Sequence, residues 1–287
     1  MTKEEAATAS IVENLTLFHN ELMSKVFDRN IPATEYLLRT ILGRKDIRVK
    51  SVKGEYNMRS PVMGGRDITL DILAEEENGR EFDVEVQNDP EGAHVRRARF
   101  HSSMTDSRML KKKQDFRELK DSYVIFIYSR DKYHKGLPLY HIDRCVKETG
   151  KDFGDGSHII YVNGRYEGDD EIGRLIHDFK SKRSSDIFNK ELANGLKQYK
   201  ETEEGRSEMS DIVSNIYKEY GKEKEKQGEK RGEKRGEKRG EKRGEMKTRV
   251  NAVQSLMETM KLSADQALDA LKIQGKERES IIKAVQG

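Results

Sequence analysis

One cysteine, Cys145, stands among 287 residues, so no disulfide can form within the chain, and no Cys/His cluster has zinc spacing. No stretch approaches the ~18 consecutive apolar residues of a membrane span. The opening residues, MTKEEAATASIVENLTLF, lack the basic segment and long apolar run of a signal peptide, as expected of a soluble, cytoplasmic protein. Apolar residues are themselves scarce: 34% hydrophobic against 37% charged is low for a compact protein, so part of the chain must pack poorly. Charge of one sign is scarce too. The net charge is +3, and four GEKR units between Gly228 and Arg243 contribute +1 each, leaving the remainder at −1. The overall charge therefore says little about nucleic-acid binding.

What is present centres on Arg66 to Gln87, RDITLDILAEEENGREFDVEVQ, which reads as two strands joined at Glu77-Asn78-Gly79. Ile68, Leu70, Ile72 and Ala74 alternate onto one face of the first strand, and Phe82, Val84 and Val86 onto one face of the second. A two-residue loop would set Ile72 against Glu85 and break the apolar face. A three-residue loop with Gly79 in the left-handed region instead pairs Ile72 with Val84, Leu70 with Val86 and Ala74 with Phe82. That register puts Asp71 opposite Glu85, with Gln87 one pleat further on the same face.

Two carboxylates at cross-strand distance repel unless a cation lies between them. A hard divalent ion such as Mg2+ suits such a pair, and it can activate water and polarise a phosphodiester. The competing reading is a solvated acidic face, because Glu75, Glu81 and Asp83 are acidic as well.

Residues 11 to 44 read as helical, with Leu15, Phe18, Leu22, Val26 and Phe27 apolar, then a second helix begun by Pro32 and ended by Gly43. DIRVKSVKGEYN is a strand candidate before the hairpin. After it, Glu91 to Leu119 has a helical pattern and is basic, carrying Arg96, Arg97, Arg99, Arg108, Lys111, Lys112, Lys113 and Arg117. Such a helix either neutralises DNA phosphates or is an ordinary solvated amphipathic face. His94 and His101 could share one of its faces and read as packing or surface residues. SYVIFIYS, residues 122 to 129, suggests a strand buried on both sides and, reached through a helical crossover, parallel to a neighbour.

The order helix, three strands, helix, strand, with Asp71, then Glu85-Val86-Gln87, then a basic helix, resembles the PD-(D/E)XK nuclease superfamily. It is most similar to the transposase-like Rpn branch of recombination-promoting nucleases. DILAEEENGREFDVEVQ carries the likeness; Asn20-Glu21 with Val26-Phe27, GLPLYH at 136 to 141, YVNG at 161 to 164 and HDF at 177 to 179 support it. The resemblance implies an α/β fold with a restriction-endonuclease-like core and a helical C-terminal extension. It also implies a Mg2+-dependent DNA endonuclease, with Mn2+ as an alternative ion. By it, Asp71 and Glu85 are the metal-binding carboxylates, the Val86 backbone carbonyl is a further ligand, and Glu21 orients a ligand or a water. Gln87 departs from the superfamily pattern, which has lysine there. Glutamine offers only neutral hydrogen bonds, so cleavage should be slower or lean more on the metal. Asp71, Glu85 and Gln87 are thus the expected catalytic set, and Arg96, Arg97, Arg99, Arg108 and Lys111 to Lys113 the expected DNA contacts.

HIIYV at 158 to 162 suggests a further short strand, and residues 171 to 220 look mainly helical, packing on the core. The expected domains are 1–220, nuclease-like with a helical extension; 221–246, a GEKR-repeat linker, flexible or marginally helical because glycine recurs every fourth residue; and 247–287, a small helical unit. In that unit Ser263 and Gln266 resemble a capping box, and Val250, Val253, Leu256, Met257 and Met260 form a stripe that could dock, self-associate into a homo-oligomer or contact DNA. The functional expectation is a DNA endonuclease promoting recombination. Its rival is a non-catalytic DNA-binding or assembly protein that keeps the fold, against which the intact carboxylate pair argues.

Overall fold

The computed structural model describes residues 3–89 and 92–286, and the chain divides into two compact units, residues 1–215 and 216–287. In chain order the first unit begins with helices α1 (Lys3–Asn14), α2 (Asn20–Phe27) and α3 (Ile31–Leu42) and strands β1 (Val49–Met58), β2 (Ile68–Glu76) and β3 (Glu81–Gln87). Helix α4 (Val95–Met109) follows, then β4 (Ser122–Tyr128), β5 (Leu139–Ile142), a two-stranded ribbon of β6 (Cys145–Val146) and β7 (Lys151–Asp152), β8 (Ser157–Asn163), α5 (Glu171–Lys180) and α6 (Lys190–Glu201).

Six strands form one mixed sheet in the order β1-β2-β3-β4-β8-β5. The first three are antiparallel neighbours, β4 runs parallel to β3 as the crossover through α4 requires, and β8 runs parallel to β4. This is the helix, three strands, helix, strand core expected, extended by β8 and β5. One face carries the main core, where Leu22, Phe27, Leu37 and Phe179 pack on Ile72, Val84 and Ile125. The other lies under α4: Ala98 joins Val124, Phe126 and Tyr161, and Met104 joins Leu70 and Leu73.

The hairpin turn has the expected form. Gly79 has φ +88°, its N–H donates to the Glu76 carbonyl at 2.9 Å, and Ile72 pairs with Val84 and Ala74 with Phe82. The ladder between β2 and β3 then stops, so Leu70 does not pair with Val86. An irregularity in β1 lies at the same level. Glu55, opposite Asp71, has φ +49°, and the β1–β2 ladder skips that pair. The alternation slips there: Ile68 and Leu70 cluster with Leu73 and Met104, while Ile72 and Ala74 face the main core. Asp71 sits at the slip.

Other boundaries also move. The first helical stretch is broken between Asn14 and Asn20, with Leu15 and Phe18 buried in the turn. The basic helix is shorter than its pattern, running Val95–Met109; Lys111 to Lys113 follow it, and Lys113 has φ +75°. The start expected for it, Glu91, lies outside the described residues.

Helix α7 (Glu203–Met260) contains the whole GEKR tract, so of the two forms expected for residues 221–246 the structure has the helical one. Three of every four residues there are good helix formers. In the second unit, α8 (Ala264–Ala270) and α9 (Gly275–Gln286) pack Leu268, Ile273 and Ile281 around Val253. The capping box is formed: the Ser263 side chain accepts from the Gln266 N–H at 3.2 Å, and the Gln266 side chain accepts from the Ser263 N–H at 2.9 Å. No described helix is long and apolar enough to cross a membrane.

Candidate active site

The slip in β2 leaves backbone groups near Asp71 without a regular ladder, and carboxylates take their place. The Asp71 N–H donates to Glu85 Oε1 at 3.1 Å, and the Val86 N–H donates to Asp71 Oδ2 at 2.8 Å. The two acids expected to face each other are therefore locked reciprocally, each side chain held by the other strand's backbone. Both are buried.

Asp83, two residues before Glu85 on the same face of β3, is fully buried under α4 rather than on a wet face. Its Oδ2 lies 2.7 Å from His101 Nδ1, while its Oδ1 is buried with no hydrogen-bond partner. His101 is likewise buried, not a surface residue, whereas His94 caps α4 by accepting from the Arg96 N–H. Arg97 Nε points at His101 Nε2, 3.3 Å away, and a guanidinium only donates. Nε2 is therefore the acceptor and Nδ1 carries the proton towards Asp83, a neutral imidazole. Burial, which lowers the His101 pKa below its ordinary 6.5, agrees with that assignment.

Arg97 binds Glu85 Oε2 at 2.5 Å and so neutralises one of three neighbouring acids. The Asp71 carboxyl is pushed up to about 7, by burial first and then by Glu85. Burial likewise pushes Asp83 and Glu85 to about 8, with Asp71 adding to the rise at Asp83 and Asp83 to that at Glu85. Three acids share one guanidinium and one neutral imidazole. They must hold protons or a cation.

Gln87 stands at the mouth of this cluster, its Nε2 3.5 Å from Glu85 Oε2. Gly92 closes on it from the following turn: a Cβ there would lie 2.0 Å from Gln87 Oε1. Above lies a cleft of about 670 Å³ lined by Arg66, Thr69, Gly92, Arg96, Arg97, Phe100 and His101 among others.

Of the expected DNA contacts, Arg96 and Arg97 line this cleft, and Arg97 is already paired with Glu85. Arg99 is exposed on α4; Arg108 lies 3.5 Å from Glu81 and over the Tyr56 ring; Lys111 to Lys113 are exposed beyond the helix. Glu21 is half-buried in the first turn of α2, with no hydrogen bond to the acid cluster among the described residues. That turn approaches the end of β3, where Asn88 Nδ2 donates to the Phe18 carbonyl at 2.6 Å. Val86 buries its side chain in the main core.

The donor chemistry suits a divalent cation. Asp83, Glu85 and His101 offer ligand atoms within 4.8 Å of one another, and Asp71 adjoins through Glu85. Asp83 Oδ1 has a free pair of electrons in a buried site. Asp83, His101 and Arg66 stand beside Asp71, Glu85 and Gln87 here without the sequence pattern marking them as site residues. The spacing Asp83-x-Glu85 was the available signal for the first.

The family model described as PD-(D/E)XK nuclease family transposase matches residues 27–164, a span that includes every residue of the acid cluster and excludes Glu21. No curated protein and no solved structure matches the chain.

Proposed function

We propose that the chain, whose residues 27–164 match the family model of PD-(D/E)XK nuclease family transposases, is a divalent-metal-dependent DNA endonuclease acting in recombination or transposition. The observation that carries this reading is the buried triple of Asp71, Asp83 and Glu85, which keeps three acids around a single guanidinium. Burying carboxylates without compensation is costly, and a cation removes that cost.

Asp71 and Glu85 would hold the ion, with Asp83 Oδ1 as a further oxygen donor and the Val86 carbonyl as a backbone one. Mg2+ fits this oxygen set, with Mn2+ as the alternative ion. A cation bound there supplies Lewis-acid charge at the phosphoryl group and water activated at neutral pH. The protein's own groups do the positioning. Arg97 orients Glu85, and His101 orients Asp83 and accepts from Arg97, so α4 fixes the acids on β3. Gln87 can donate through Nε2 to a phosphate oxygen or accept from an attacking water through Oε1, but it cannot lend positive charge. Arg66 and Arg96 line the cleft and would hold flanking phosphates.

Gln87 is also what favours the second reading, a DNA-binding protein with little turnover. Nicking of supercoiled plasmid by the wild type, Asp71→Ala and Glu85→Ala, each with Mg2+, Mn2+ or EDTA, separates the two. Cleavage by the wild type alone, abolished by EDTA, supports the nuclease. Retained DNA binding without cleavage supports the second reading, and equal cleavage by all three proteins points away from this site.

A further inference from the structure

The cleft over the acid cluster has Arg66 and Arg96 on its walls with Asp67 next to Arg66, Arg97 being paired with Glu85, and it holds one aromatic side chain open to solvent. Phe100, on the turn of α4 between Arg97 and His101, is 38% exposed. The loop that delivers Arg66 carries a second apolar feature. Between β1 and β2 the tip exposes Val62 and, completely, Met63.

That tip is built rather than loose. The Ser60 N–H donates to Asp67 Oδ1 at 2.7 Å, the Val62 N–H donates to Ser60 Oγ at 3.2 Å, and the Gly65 N–H donates to the Val62 carbonyl at 2.9 Å. These bonds brace the loop while its methionine and valine stand exposed to water.

Guanidinium groups and a solvent-open phenyl in one cleft match two parts of a nucleotide. The cations take phosphate, and the phenyl takes a base face. A matched duplex offers the first and hides the second, because its bases stack on one another. We propose that this cleft selects DNA with unstacked, unpaired nucleotides beside the scissile phosphate, with Phe100 as the stacking platform and Met63 as an apolar wedge at the neighbouring step. The inference rests on the nuclease reading and adds to it the class of DNA that is taken.

Binding measured in EDTA tests it without any cleavage. Fluorescence anisotropy would compare a matched duplex with the same duplex carrying an unpaired bulge that contains 2-aminopurine. The wild type is expected to bind the bulged duplex about tenfold more tightly and to change its 2-aminopurine fluorescence. Phe100→Ala should abolish that preference, and Met63→Ser should weaken it about threefold. Met63 is fully exposed, so its variant folds normally even if Phe100→Ala does not. Equal affinity of the wild type for both duplexes, or equal losses on both in the Met63 variant, overturns the inference and leaves the nuclease reading standing. Failure to bind DNA of either kind overturns both.

Discussion

Without a cation, the acid cluster should make the protein lose stability as pH rises towards 8, the reverse of ordinary acid denaturation. Asp71 is displaced from 3.8 to about 7, Asp83 from 3.8 to about 8 and Glu85 from 4.5 to about 8. An unfolded chain releases these protons at the ordinary values, whereas the folded chain keeps them until near neutrality. In that window the folded state binds more protons, so stability falls with rising pH. His101 works in the opposite sense, but only below its ordinary 6.5. From about pH 6.5 to about pH 8 the carboxyls therefore dominate, opposed near the upper end by Lys200, whose pKa burial lowers from 10.5 to about 8 so that its contribution to stability rises with pH there. Each proton retained across it is worth about 2 kcal/mol. If the three coupled acids share between one and two such protons, the loss is roughly 2–4 kcal/mol, a fall in Tm of about 5–10 °C for a unit of this size.

Thermal unfolding followed by circular dichroism in EDTA measures this directly. Asp83→Asn should flatten the slope and raise Tm at the upper end, because it replaces a buried acid with a neutral amide. Mg2+ or Mn2+ should restore stability at pH 8 more than at pH 6.5, since cation and proton compete for the same oxygens. A Tm in EDTA that stays flat or climbs between those two pH values would refute the reasoning.

Gln87→Lys should raise the nicking rate if the neutral amide limits catalysis, and a clear loss of activity would count against that account. Gly92→Ala should cut the rate about tenfold with little change in Tm, because its Cβ would lie 2.0 Å from Gln87 Oε1 and displace that flexible side chain; unchanged rates would remove Gln87 from the site. Lys200 donates to the carbonyls of Glu13, Leu15 and Lys182 at 3.0, 2.5 and 2.6 Å. Lys200→Met should therefore cost about 2–4 kcal/mol in denaturant unfolding, while any variant protein still folded should keep its metal affinity.

The sequence made the hairpin legible because alternation and a glycine turn are strong local signals, and Ile72 does meet Val84. It did not reveal the slip at Asp71, since Glu55 has no feature that marks a positive φ. Nor could an acidic alternation say whether water or a helix covers it. Asp83 looks the same in either case, and only the docking of α4 buries it beside His101. Arg97 read as a DNA contact for a similar reason, because charge is visible in a sequence and the partner that claims it is not. Glycine spacing left the GEKR tract open between a flexible and a marginally helical spacer, and the tract lies within helix α7.

The acids and their organisers come from opposite sides of a crossover, Asp71 to Glu85 before it and Arg97 and His101 within it. A growing chain that has produced only the hairpin carries the carboxylates, but with neither guanidinium nor imidazole to set them. The pairing of β3 with β4 must wait until Ser122–Tyr128 has been made, because long-range parallel contacts form only after the loop between them closes. Incomplete products of synthesis should thus hold the acids without the geometry. On the nuclease reading, the site would be complete only once the core is whole.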